Sequence, residues 1–263
     1  MSAIILESSL VHYEALGRGR PLLFLHDWLG SWRYWVPTMM ELSHSRRAYA
    51  LDFWGFGDSD KARGYYSVDG YVHQVDLFMR QMGISEIPII GHGLGGIIAL
   101  RFAKKFPKRV QQAMIVSTPL SGPYLNQSLS SFTGGDNPAS RILGRQLNSY
   151  QEVAMESAKT DAQAVVETVR SFLQEDLTLL VEDLTIPVML VYGSQDNIIR
   201  HPPGGWLDDL DYFNAYAFLL EDAQHYPMLE EPTKFNRLLL DFLIHENAWD
   251  KIEVKESWRR RMR

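Results

Sequence analysis

The chain has 263 residues, of which 46% are hydrophobic and 22% charged, so it is long enough to bury one sizeable core. Its formal net charge of −6 argues against a general nucleic-acid surface. It has no cysteine, which excludes disulfides, thiolate metal sites and a catalytic thiol. These totals are compatible with one α/β domain that carries an insertion.

The sequence predicts neither a membrane span nor a secretion signal. No stretch approaches the ~18 uncharged apolar residues that a span requires. Residues 1–10 lack the basic start of a signal peptide. We therefore expect a cytoplasmic protein without membrane insertion. The last residues, 250–263, contain six Lys or Arg against three Asp or Glu, which indicates a solvated terminus or a docking segment for an anionic partner.

The first half of the chain alternates apolar runs with amphipathic ones. Short apolar runs between turn residues predict strands, and hydrophobic residues three and four apart predict helices. The predicted strands are 4–6, 11–15, 22–25, 47–53, 87–91 and 112–117, and the predicted helices are 31–42, 67–82 and the segment from residue 97 to Pro107. The first two strands are expected to form a hairpin.

The alternation breaks between residues 118 and 186. Ordinary connections between elements are only about 4–6 residues long, so an interval of this length predicts an inserted element. Its start, 121–140, is rich in Ser, Gly, Asn and Pro, whereas 141–155 and 161–173 have helical patterns. Strands at 187–192 and 215–220 and a helix at 232–244 complete the chain.

This order of elements predicts an α/β fold with a doubly wound, mostly parallel eight-stranded sheet and a small helical cap. The core comprises residues 1–119 and 186–246, the cap comprises 120–185, and a basic tail comprises 247–263. Functional residues are expected at the carboxyl ends of the strands.

A sharp turn at residues 91–96, Gly-His-Gly-Leu-Gly-Gly, joins a predicted strand to a predicted helix. The turn resembles the nucleophile elbow of the α/β-hydrolase family, Gly-x-Ser-x-Gly, and Gly93 stands at the nucleophile position. Asp196 and His225 each follow a late strand, in the order in which this family places its acid and its base. The resemblance extends over nearly the whole chain.

The resemblance implies that Asp196 orients His225, although His225 then has no hydroxyl at residue 93 to deprotonate. It also implies an oxyanion hole made by the backbone N–H groups of Trp28 and Leu94. Active members of the family usually carry glycine where this chain has Asp27.

Five residues around the predicted site have more than one interpretation. An ionised Asp27 opposes an oxyanion, a protonated one donates a hydrogen bond, and a surface-facing one has no role. His26 and His92 flank the site, and packing beneath the elbow is the simpler interpretation of His92. Trp28 and Trp54 lie in site-facing loops, where they line an apolar pocket under the cap or belong to the core.

The resemblance is to the branch that hydrolyses small esters, lactones and carbon–carbon bonds. Without a nucleophile we expect an impaired or non-hydrolytic protein with an apolar pocket for a small apolar or amphipathic ligand, or with a protein partner. We expect no cofactor and no metal. Two alternatives stay open: a serine hydrolase that carries a substitution at residue 93, and an enzyme that uses only the His225/Asp196 base, as cofactor-free dioxygenases of this fold do.

Overall fold

A computed structural model of the chain describes residues 2–208, 210 and 214–245. The predicted basic tail at 247–263 and residues 1, 209, 211–213 and 246 of the predicted core lie outside the described residues. Eight strands within the described part form one sheet. They are β1 (Ser2–Leu6), β2 (Ser9–Gly17), β3 (Arg20–Leu25), β4 (Arg46–Leu51), β5 (Ile87–His92), β6 (Val110–Val116), β7 (Val188–Gly193) and β8 (Ala215–Leu220).

The strand order across the sheet is β1-β2-β4-β3-β5-β6-β7-β8. β1 and β2 form the predicted antiparallel hairpin, and β2 is also antiparallel to β4. All other neighbours are parallel. Every residue of β5 and β7 is buried, as expected for parallel strands covered on both faces. The predicted doubly wound, mostly parallel sheet is therefore confirmed.

Helices cover both faces of the sheet and fill the interval between β6 and β7. They are α1 (Val36–Leu42), α2 (Val68–Gln81), α3 (Leu94–Lys105), α4 (Gln127–Ser130), α5 (Pro138–Leu143), α6 (Gln151–Glu156), α7 (Ala162–Phe172), α8 (Thr178–Glu182), α9 (Gly204–Asp208), α10 (Pro227–Glu230) and α11 (Pro232–His245). No helix in the described part is long and apolar enough to cross a membrane.

The inserted interval has the helical segments that the sequence predicts. The segment 141–155 comprises the end of α5, a 3₁₀ helix over Gly144–Ser149 and most of α6. The α-helix is interrupted at Gly144, whose φ of 55° an α-helix does not accommodate. The helix predicted at 161–173 is present as α7.

Direct contacts attach the inserted helices to the loops after β3 and β4. The Trp28 indole Nε1 donates to Thr168 Oγ1 of α7 at 2.8 Å. The Asp161 backbone N–H donates to the carbonyl of Gly55 at 2.7 Å. These contacts place α7 over the carboxyl edge of the sheet, where the family resemblance puts the site. The division into core and cap stays a prediction.

Candidate active site

The predicted elbow joins β5 to α3 through Gly93, whose φ is 51° and ψ −112°. This positive φ favours glycine. Gly95 allows α3 to approach the sheet closely, because a Cβ there would overlap the carbonyl oxygen of Leu25 at the end of β3. The Gly95 N–H donates to the carbonyl of His26 at 3.0 Å. Residue 93 therefore lies beside the loop that follows β3.

The structure brings Asp196 and His225 together. Asp196 Oδ2 lies 2.9 Å from His225 Nδ1, and each side chain is about 2% exposed. Asp196 Oδ1 accepts the backbone N–H groups of Ile198 at 2.8 Å and Ile199 at 2.9 Å. The carboxylate is thus fixed by its own loop, and it holds the imidazole in one orientation.

Asp27 occupies the space where a side chain at residue 93 would stand. Its carboxylate is fully buried, so it does not face the surface. A Cβ built on Gly93 would overlap Asp27 Oδ1 and Cγ and lie 2.9 Å from the Asp27 Cβ. Any side chain at residue 93 therefore competes with Asp27 for the same volume.

The same carboxylate takes up hydrogen-bond donors of the site. Asp27 Oδ1 accepts the Leu94 N–H at 3.0 Å, which is one of the two donors expected for the oxyanion hole. Oδ2 accepts the Leu29 N–H at 3.2 Å and lies 3.2 Å from His225 Nε2. Three donors thus converge on one negative group.

The two carboxylates fix the charge of His225. Burial alone lowers the pKa of its imidazole, but Asp196 and then Asp27 outweigh it and raise the pKa to about 10. Burial likewise favours a neutral Asp27, yet the hydrogen bond and charge of His225 bring the pKa of Asp27 to about 2. At neutral pH the cluster holds a cationic His225 between two anionic carboxylates, so Asp27 accepts hydrogen bonds and does not donate one.

His92 lies beneath the elbow and supports both sides of the cluster. The Asp27 N–H donates to the Tyr34 hydroxyl at 2.8 Å, and that hydroxyl lies 2.9 Å from His92 Nδ1. His92 Nε2 donates to the carbonyl of His225 at 2.8 Å. Burial and then the charge of His225 lower the pKa of His92 to about 3, so the imidazole is neutral and its Nδ1 accepts a hydrogen bond from the Tyr34 hydroxyl.

Tyr34 is a residue of the site that the sequence analysis does not single out. Its ring is fully buried and packs against the rings of Trp35 and Tyr226. Its hydroxyl is the only local signal of a polar role, because a buried phenol needs a hydrogen-bond partner.

His26 fastens the loops after β3 and β4 to each other. Its Nε2 accepts the Phe53 N–H at 3.0 Å, so Nδ1 carries the proton and donates to the Asp27 carbonyl at 2.7 Å. Burial lowers the pKa of His26, in agreement with this neutral form. His26 therefore positions Asp27 through the backbone and has no free nitrogen for chemistry.

Trp28 and Trp54, the two predicted pocket residues, are fully buried. The Trp28 indole binds Thr168 of α7, as described above. The Trp54 ring packs on Tyr65 with the ring centroids 4.5 Å apart, and its backbone N–H donates to Gln74 Oε1 at 3.1 Å. Both side chains join the loops of the site to their surroundings.

One group in the described part of the chain has the composition of a metal site. His12, Asp52 and Asp58 offer ligand atoms within 4.8 Å of one another. Lys159 Nζ lies 2.7 Å from Asp58 Oδ1, however, and Asp52 Oδ1 accepts the Trp32 N–H at 2.8 Å. A lysine ammonium thus already neutralises Asp58, and the group is better described as a structural network.

The parallel sheet, the elbow and the acid–histidine pair at its carboxyl edge define one class of protein. A family model for the alpha/beta hydrolase fold matches residues 20–151, about half of the chain. The chain belongs to the α/β-hydrolase family.

Its similarity to particular members is distant but extends over nearly full lengths. It is 24% identical to the pimeloyl-[acyl-carrier protein] methyl ester esterase of Aliivibrio fischeri over 89% of this chain and 97% of that one. Similar solved structures include a serine-to-glycine mutant of an N-acyl homoserine lactonase with N-hexanoyl homoserine lactone (TM-score 0.74, 23% identity, 92% and 96% of the two chains). Another is a mutant of the meta-cleavage product hydrolase of Pseudomonas fluorescens (TM-score 0.77, 20% identity, 92% and 97%).

Proposed function

We propose that this α/β-hydrolase is non-hydrolytic and acts by binding a small apolar or amphipathic ligand. One observation carries the proposal: the Asp27 carboxylate fills the volume of a side chain at residue 93 and accepts the Leu94 N–H. The positions of the attacking atom and of the developing oxyanion are thus both taken by a negative charge.

Each requirement of acyl transfer fails for its own physical reason. Gly93 has no atom that can attack, and loss of the nucleophile in such a triad costs on the order of 10⁶ in kcat. The negative charge of Asp27 would repel an oxyanion, whereas the N–H donors of an oxyanion hole normally stabilise one. His225 is protonated between two carboxylates and cannot take a proton.

The two alternatives receive less support from this geometry. A base-only enzyme needs a neutral His225, but both imidazole nitrogens face carboxylate oxygens. A serine hydrolase with a single introduced change would keep the space for a serine side chain, and Asp27 fills that space. Two complementary departures, at residues 27 and 93, favour a site that has diverged from hydrolysis.

The class of ligand is proposed by analogy. One named relative is an esterase for a pimeloyl-[acyl-carrier protein] methyl ester and another is an N-acyl homoserine lactonase, so both act on substrates that carry an acyl chain. The inserted helices α4–α8 are proposed to cover the ligand, with Trp28 and Trp54 in the supporting loops. A protein partner is the second option, and the cysteine-free sequence supports a cytoplasmic location.

Turnover of short and medium aryl esters and lactones tests the proposal. The unmodified protein is expected to be inactive because it has no nucleophile at residue 93. Gly93→Ser is expected to be inactive as well, because a serine Cβ overlaps Asp27. The double variant Asp27→Gly/Gly93→Ser supplies a nucleophile, frees the Leu94 donor and removes one of the two carboxylates that hold the His225 proton. We expect it to gain about 10²-fold or more over either single variant.

Two controls complete this experiment. Asp27→Gly alone should stay inactive, since it lacks the nucleophile, and His225→Ala in the double background should abolish the gain. Turnover by the unmodified protein that disappears in His225→Ala would overturn the proposal. So would a Gly93→Ser variant as active as the double variant.

A further inference from the structure

We infer that the carboxyl edge of the sheet forms a carboxylate-binding site that the chain occupies with its own side chain, Asp27. The natural protein then excludes free carboxylates from this site, and removal of the Asp27 side chain opens it to a small one such as formate or acetate. This inference rests on the proposed function, because it describes the same site in its non-hydrolytic form.

Three donors from two loops and a helix build the site. The Leu94 N–H lies at the start of α3, where the helix dipole favours an anion, and it contacts Oδ1 at 3.0 Å. The Leu29 N–H contacts Oδ2 at 3.2 Å. His225 Nε2 lies 3.2 Å from the same oxygen and adds a full positive charge. Each carboxylate oxygen thus has a donor aimed at it.

The occupant is held in place on both sides of its backbone. The Asp27 N–H donates to the Tyr34 hydroxyl, and the Asp27 carbonyl accepts the His26 Nδ1–H. Gly93 leaves the volume in which the carboxylate lies. A tethered anion does not lose translational freedom on binding, so it competes effectively with any free carboxylate.

Charge explains the selectivity that we expect once the occupant is removed. With Asp27 present, two carboxylates surround one imidazolium, and a further anion is repelled. Without it, His225 keeps only Asp196, and the Leu94 and Leu29 N–H groups lose their acceptor. Unpaired buried donors are costly, so an anion that restores these bonds should stabilise the fold.

The experiment measures thermal and urea unfolding of Asp27→Gly with increasing sodium formate or acetate. A saturable, concentration-dependent rise of the unfolding midpoint is expected for this variant. Acetate should bind it about tenfold or more tightly than it binds the unmodified protein, as measured by titration calorimetry. If Asp27→Gly is marginally folded, its recovery of a cooperative urea transition on addition of acetate gives the same information.

Matched probes and variants separate specific binding from salt effects. Acetamide has the shape of acetate without its charge, and sodium chloride supplies a different anion, so neither should reproduce the stabilisation. Asp27→Asn keeps the volume filled and should not respond to acetate. Asp27→Gly/His225→Gln lacks the cation and should bind acetate at least about tenfold more weakly than Asp27→Gly.

The outcomes are distinct from those of the turnover experiment. Equal stabilisation by acetamide, an equal response of Asp27→Asn, or no response of Asp27→Gly would overturn the carboxylate site while leaving the non-hydrolytic proposal intact. Ester turnover by the unmodified protein would overturn that proposal whatever acetate does.

Discussion

Asp27 and Gly93 form a pair in which each residue explains the other. A glycine at residue 93 is needed because the Asp27 carboxylate fills the adjacent volume. The carboxylate in turn is stable there because Leu94, Leu29 and His225 donate to it. Asp27 and Gly93 therefore form one structural unit, a buried ion cluster in which each oxygen of the Asp27 carboxylate has a hydrogen-bond partner.

The pair predicts that Gly93→Ala destabilises the protein by two separable effects. The backbone φ of 51° strains a residue with a Cβ, at a cost of about 1–3 kcal/mol. Overlap with Asp27 adds about 1–3 kcal/mol of overpacking. In an Asp27→Gly background only the strain remains.

A double-mutant cycle by urea unfolding measures this coupling. The cost of Gly93→Ala should fall by about 1–3 kcal/mol when Asp27→Gly is present. Costs that add independently would show that the two side chains do not share the volume. Gly64→Ala serves as a control, because a Cβ there meets nothing within 4 Å.

At the scale of elements, the inserted helices are attached to the site loops by hydrogen bonds and ion pairs. Glu156 at the end of α6 is buried and contacts Arg33 Nε at 2.6 Å and Lys159 Nζ at 2.7 Å. Tyr150 contacts Glu230 Oε1 at 2.5 Å, and Glu230 accepts backbone N–H groups on both sides of His225. The position of these helices is thus coupled to the loop that carries the imidazole.

The Trp28 indole provides a direct test of this attachment. Thr168→Val keeps the side-chain shape but removes the acceptor of a buried indole N–H. The unpaired donor should lower the free energy of unfolding by about 1–3 kcal/mol, measured in urea. Ser171→Ala, an exposed hydroxyl on the same helix, should change it by less than about 0.5 kcal/mol. Equal losses would contradict a specific role of the Trp28 bond.

The sheet and the acid–histidine pair could be predicted because their signals are local. Buried parallel strands are continuous apolar runs, and Asp196 and His225 each follow such a run. The position of the Asp27 carboxylate could not be predicted from the sequence, because it depends on β3 lying beside β5, with Leu25 opposite Gly91. Tyr34 was missed for the same reason, since its partner Asp27 lies in the loop after β3 and its partner His92 at the end of β5.

For the molecule as a whole, the buried ion cluster links stability to pH. Three ionised groups lie at the centre of the carboxyl edge, each nearly inaccessible to water. Salt screens buried pairs weakly, so the cluster should keep its contribution at high ionic strength, unlike the exposed pair of Lys104 and Asp183. A change of pH should therefore alter the stability contribution of this cluster more than a change of ionic strength does.

The direction of the pH effect follows from His225. Its pKa is raised from 6.5 to about 10, so between these values the folded protein keeps a proton that the unfolded chain releases. The contribution is fully present below pH 6.5 and is lost as the pH rises through 10, with a slope of up to about 1.4 kcal/mol per pH unit. Urea unfolding between pH 7 and 9 should show this decrease. Asp27→Asn removes one of the two carboxylates that hold the proton, so its slope should be shallower. An equal slope in both proteins would show that Asp27 does not hold the His225 proton, and would contradict the ion cluster at the centre of this site.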